Sequence, residues 1–104
     1  MKSKKLKIRC FTYHVFFSAK GSDHGETDTE SKKIYINTEY PLEVQRETLN
    51  HEILHVCLCD FPNWDKEHKD VEKAEEEIVR FISPNMVQIY QDNKWLREFV
   101  FGVR

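Results

Sequence analysis

Residues 41–59 read Pro-Leu-Glu-Val-Gln-Arg-Glu-Thr-Leu-Asn-His-Glu-Ile-Leu-His-Val-Cys-Leu-Cys, and nothing after Pro41 breaks a helix. Proline suits a first helical position, where its missing N–H costs nothing. Leu42, Leu49, Ile53 and Val56 recur at helical spacing, which predicts an amphipathic helix from Leu42 to about Cys59. Asp60-Phe61-Pro62-Asn63 ends it.

Inside that helix stands His51-Glu52-Ile53-Leu54-His55. Residues four apart lie one turn above each other, so both imidazoles reach a single metal ion. Glu52 follows the first histidine directly and projects beside the metal, where it can take a proton from a metal-bound water. A chance match in a chain this short has a frequency well under about 1%. The competing readings are a pair of surface histidines and a metal site that serves structure alone.

A catalytic zinc needs a third protein ligand and one open position. Candidates stand in the acid-rich run Glu72, Glu75, Glu76 and Glu77, most of which must be a solvated helix face. Glu75 shares the apolar stripe of Val71, Ile78 and Ile82, while Glu76 lies on the neighbouring edge beside Val79 and Ser83. Periodicity slightly prefers Glu75. His68, eight residues before Glu76, offers a nitrogen instead.

Upstream, Leu6, Ile8 and Cys10 alternate with Lys5, Lys7 and Arg9, the two-residue period of a half-buried strand running on towards Phe17. The alternation changes phase near Phe11, which predicts a bulge or a change of face. Ser18 to Ser31 reads as a loop leading into a polar edge strand around Glu26 to Ser31. Lys32 to Asn37 is a short strand with Ile34 and Ile36 on one face. Downstream, a helix from about Asp65 carries Val71, Ala74, Ile78 and Ile82. Ser83-Pro84 should kink or restart it. A third helical segment passes through Met86, Ile89 and Tyr90, and an apolar tail, Lys94 to Arg104, packs on the helices or the sheet. The architecture expected is one α+β domain over residues 1–104, a three-stranded, mostly antiparallel sheet against these helices.

With 104 residues and a net charge of −2, the chain has room for one core and offers no broad cationic surface for coating nucleic acid. Its basic cluster, Lys2, Lys4, Lys5, Lys7 and Arg9, suits the outer face of a first strand; binding nucleic acid through it is a rival reading. No apolar run approaches the roughly 18–20 residues that cross a bilayer, and no signal peptide is evident. Cys57 and Cys59 point about 200° apart on a helix and cannot pair, so Cys10, Cys57 and Cys59 fit a reducing cytoplasm as small packing residues.

The run 47–55 together with Glu-Glu-Glu-Ile-Val-Arg-Phe-Ile-Ser at 75–83 resembles the gluzincin branch of zinc peptidases. It is most similar to minimal forms of about 100 residues, including small phage-encoded proteins and the ImmA/IrrE-like peptidases. In those families an apolar and then a small residue follow the ligand glutamate at six and seven positions. Ile82 and Ser83 fit that spacing from Glu76, so the resemblance implies zinc on His51, His55 and Glu76, with Glu52 as general base and a peptide or protein as substrate. It extends to residues 25–36 as the edge strand along which such substrates lie. The chain departs from the pattern in one respect: Arg80 stands four residues after Glu76, where the family often has a supporting Asp or Asn, and Val79 stands there counting from Glu75. For the oxyanion-stabilising group, His24, Tyr35, Tyr90 and Arg80 all remain open. A zincin-fold module that binds metal or a partner without turnover is the second reading.

Overall fold

A computed structural model describes residues 3–19, 23–59 and 71–102, with side chains from residue 77 onward in the last segment. Its elements are β1 Ser3–Ile8, β2 Phe11–Ser18, β3 Gly25–Asp28, β4 Lys33–Asn37, α1 Leu42–Cys59, α2 Val71–Asp92 and α3 Lys94–Phe101. The class is α+β, as expected from the sequence.

The sheet differs from expectation. It has four strands in the order β1-β2-β4-β3, and β2 runs parallel to β4. The single strand expected from Lys5 to Phe17 is a hairpin, with Ile8 opposite Phe11 and a turn at Arg9-Cys10. Arg9 sits at φ 57°, a left-handed conformation that usually falls to glycine or asparagine, so the turn carries no composition signal. The phase change near Phe11 was its trace. The parallel pair arises because the chain leaves β2, crosses to the outer strand β3, and returns through residues 29–32 to fill the gap as β4. In that turn Asp28 Oδ1 accepts from the backbone N–H groups of Glu30 and Ser31, at 3.0 and 3.2 Å. Chiefly the Ser31 backbone bond holds the Asp28 carboxyl below its ordinary range.

One face of the sheet supplies Leu6, Ile8, Tyr13, Val15, Ile34 and Ile36 to the core. Against them lie Leu49, Ile53, Val56 and Cys57 of α1, Ile89 of α2 and Leu96 of α3. Each such aliphatic side chain is worth about 1.5–3 kcal/mol on burial. Of the cysteines only Cys57 packs inside; Cys10 is exposed at the hairpin turn and Cys59 at the last position of α1, against the packing role expected for both.

The helices beyond α1 also depart from expectation. α2 continues through Pro84 to Asp92, so the segment through Met86, Ile89 and Tyr90 is its C-terminal half rather than a new helix. Pro84 has no N–H for the turn before it, and one residue on the Asn85 side-chain amide donates to the Phe81 carbonyl at 2.7 Å. The break falls at Asn93. The apolar tail is itself helical, α3, and ends at Gly102 in the left-handed conformation (φ 67°). It packs as expected: Phe99 meets Phe17 with ring centroids 5.3 Å apart. Among the described residues no helix is long and apolar enough to cross a membrane.

The two edges of the sheet are treated differently. The exposed positions of β1 include Lys4, Lys5 and Lys7, but its outward main-chain groups are taken up by side chains. Asn93, 4% exposed, accepts from the Lys7 N–H and donates to the Lys7 carbonyl, both at 2.9 Å, and donates again to the Ile89 carbonyl. Gln88 accepts from the Arg9 N–H, and the Trp95 indole donates to the Lys5 carbonyl. β3, the opposite edge, is the outer strand beside α1.

Asn93→Ala removes the partner of the part-buried Lys7 N–H and of the buried Ile89 carbonyl, and weakens the bonding of the Lys7 carbonyl. Chemical denaturation should show a loss of about 2–3 kcal/mol, and a loss below about 0.5 kcal/mol would mean that β1 is held by apolar packing alone.

Candidate metal centre

The apolar stripe of α1 fixes the orientation of everything else on that helix. Leu49, Ile53 and Val56 face the sheet, and Glu52, three residues after Leu49 and four before Val56, is carried inward with them. It is 8% exposed, a carboxylate on the buried side of the helix. His51 and His55 fall on the shoulder of the same helix and are exposed.

The histidines come together. Their Nε2 atoms are 3.0 Å apart and their rings meet edge to face, with centroids 4.6 Å apart. Two imidazoles on a tetrahedral zinc at about 2.0–2.1 Å would stand about 3.3 Å apart, so small side-chain rotations reach that geometry. The same separation also suits one shared N–H···N bond. One ligand atom from each of His51, Glu52 and His55 lies within 4.8 Å of the others. By donor chemistry, two neutral imidazoles with a neighbouring carboxylate suit a borderline cation such as zinc.

Glu52 is held from across the interface. The Thr27 hydroxyl, on β3, donates to Glu52 Oε1 at 2.7 Å. This contact depends on Gly25. A β-carbon there would stand 2.6 Å from Thr48 Cγ2 and 3.0 Å from the Tyr35 carbonyl oxygen, so α1 and β3 approach this closely only because residue 25 has no side chain. In front of the pair lies a cleft of about 490 Å³, walled by Asp23, His24 and Gly25 on one side and by Glu47, Thr48 and His51 on the other. Asp23, Glu47 and Glu52 give it acidic groups, and among the described residues no lysine or arginine lines it.

The remaining sequence candidates are placed as follows. Glu75 and Glu76 fall in the first turns of α2, but their side chains lie outside those described; His68 lies outside the described residues altogether. His24 lines the cleft and is stacked on Tyr40, ring centroids 4.0 Å apart. Tyr35 is on the far face of the sheet, stacked on Phe16. Tyr90 reaches α1 instead, donating to Asn50 Oδ1 at 2.8 Å, and burial pushes its phenol above the ordinary range, keeping it a neutral donor. Arg80 is exposed on α2. Among the described residues none of α3 lines the cleft.

Thr27 and Gly25 escaped the sequence reading as site residues. The signal was present: in Gly25-Glu26-Thr27-Asp28 the two-residue period of a strand puts Gly25 and Thr27 on one face, turned to whatever covers it.

Against this geometry, comparison with protein-family models, with curated proteins and with solved structures finds no match.

Gly25→Ala should force α1 and β3 apart. A destabilisation of about 1–3 kcal/mol in urea unfolding is expected, and an unchanged midpoint would show that Thr48 can rotate out of the way at no cost.

Proposed function

We propose that this chain is a minimal zinc-dependent peptidase of the gluzincin type, with a zincin-like fold. The observation that carries the reading is the pairing of two imidazoles 3.0 Å apart with a buried carboxylate one residue away, beside an edge strand. His51, His55 and Glu76 would hold the ion; the glutamate rests on the sequence resemblance, with Glu75 and His68 as the alternatives. Bound zinc supplies a water of lowered pKa and a polarising centre for the scissile carbonyl. Glu52 accepts the water's proton and passes it to the leaving amine nitrogen.

The edge strand suits an extended peptide. Asn37 N–H donates to the His24 carbonyl at 2.9 Å, so the pair 24–37 is hydrogen-bonded, as by alternation are 26–35 and 28–33. The main-chain groups of Gly25 and Thr27 therefore point away from β4, towards the open side. A peptide adding there as a further strand would pass the cleft in front of His51 and Glu52. Asp23 and Glu47 favour cationic side chains in that cleft over acidic ones.

The second reading, a metal-binding or partner-binding module of the same fold without turnover, draws on Arg80. A cation stands where the family often has a carboxylate or amide that orients a ligand. Nucleic-acid binding through the basic first strand has less support, since a net charge of −2 offers no broad cationic surface.

The test is cleavage of a mixed peptide library by zinc-loaded protein. Glu52→Gln should lower turnover by about 10²–10⁴-fold and leave one zinc per chain in place. Glu76→Ala should release the zinc; release by Glu75→Ala or His68→Ala instead would move the third ligand. Wild-type turnover in Glu52→Gln would contradict the mechanism, and a loaded wild type that cleaves nothing would leave the binding module.

A further inference from the structure

We propose that Thr27 is a positioning residue that keeps Glu52 off the metal, so that the edge strand decides whether this carboxylate is a base or a ligand. The inference rests on the metal site proposed for His51 and His55, but not on peptide cleavage.

The difficulty it resolves is geometric. A carboxylate oxygen of Glu52 lies within 4.8 Å of both imidazoles, and carboxylates bind zinc at about 2.0–2.2 Å. Rotation about the side-chain bonds is enough to close that gap. Helix geometry sets Glu52 beside the ion, but an unrestrained side chain of this length could also swing onto it as a further ligand. Coordinated in that way, its proton-accepting lone pairs would be consumed.

The restraint comes from β3. The Thr27 hydroxyl donates to Glu52 Oε1 at 2.7 Å, a well-formed O–H···O bond. Glu52 is 8% exposed, so water competes poorly for that oxygen. Threonine is branched at Cβ and stiff at χ1, and here it sits inside a strand, which fixes where the hydroxyl points. With Oε1 tied to the sheet, the bond constrains the whole carboxylate, and Oε2 is the oxygen left to accept a proton. Gly25, two residues earlier on the same face, sets the separation at which the hydroxyl meets the carboxylate. An apolar packing role would be served equally by valine, which has threonine's shape without the hydroxyl.

The experiment loads the full chain with Co²⁺ and compares visible spectra of wild type, Thr27→Val, Thr27→Ser, and Thr27→Val combined with Glu52→Gln. Thr27→Val should shift the cobalt bands and weaken their intensity as the freed carboxylate joins the ion and raises its coordination number. Thr27→Ser should keep the wild-type spectrum, and the double variant should return to it. In the zinc form, Thr27→Val should lose about 10–100-fold in turnover under conditions where urea unfolding shows the variant still folded, and Thr27→Ser should retain it. A Thr27→Val spectrum identical to wild type overturns the proposal, as does a shift that persists in the double variant. Wild type that binds no cobalt removes it together with the metal site. Cobalt bound with the expected shifts, but no peptide cleaved, upholds it while refuting the peptidase.

Discussion

How closely α1 can approach β3 governs the candidate site. The two elements meet where Gly25 presents no β-carbon, with Thr48 and the Tyr35 carbonyl filling the space one would need. At that separation Glu52 is removed from water yet finds a hydroxyl on β3 at hydrogen-bond length. Burying an unpaired carboxylate would cost several kcal/mol, so close approach and hydrogen bond stand or fall together. The histidines inherit their placement. Once Leu49, Ile53 and Val56 dock on the sheet, His51 and His55 share one shoulder of the helix, from which His51 lines the cleft.

The sheet has an asymmetry of the same origin. An edge strand is a row of unpaired donors and acceptors that must be covered or used. β1 is covered by Gln88, Asn93 and Trp95, which satisfy its main chain from the junction of α2 and α3. Among the described residues β3 is covered by α1 on one face, and the main-chain groups of Gly25 and Thr27 are directed away from β4. Among the described residues the uncovered edge is thus the one beside His51 and Glu52, the arrangement that the proposed addition of a peptide strand would use.

Much of this was legible in the chain because it depends on periodicity. The helix from Leu42 to Cys59 begins at a proline and carries an unbroken apolar stripe, so its limits and its inward face could be read off, and with them the shared face of His51 and His55. What escaped depends on single backbone conformations or on partners distant in sequence. A left-handed arginine makes the first hairpin without glycine or asparagine, so two strands read as one and the four-stranded sheet as three-stranded. Pro84 does not break its helix, because tertiary packing of Ile89 and the bond from Asn85 to Phe81 hold the chain helical on both sides. The tail is helical because Trp95, Leu96 and Phe99 find a surface to bury against, a fact its local sequence does not contain. The strand period marks only the face that Thr27 shares with Gly25; the partner its hydroxyl meets is 25 residues away.

The proposed site requires that His51 and His55 bind one metal ion through their imidazoles. X-ray absorption at the zinc K-edge, on protein loaded with one equivalent of zinc, measures that directly. Two imidazole nitrogens at about 2.0–2.1 Å with oxygen donors completing a four-coordinate shell are predicted, and one imidazole should vanish in His55→Ala. A shell of oxygens or sulfurs without imidazole, or a spectrum unchanged in that variant, would contradict it.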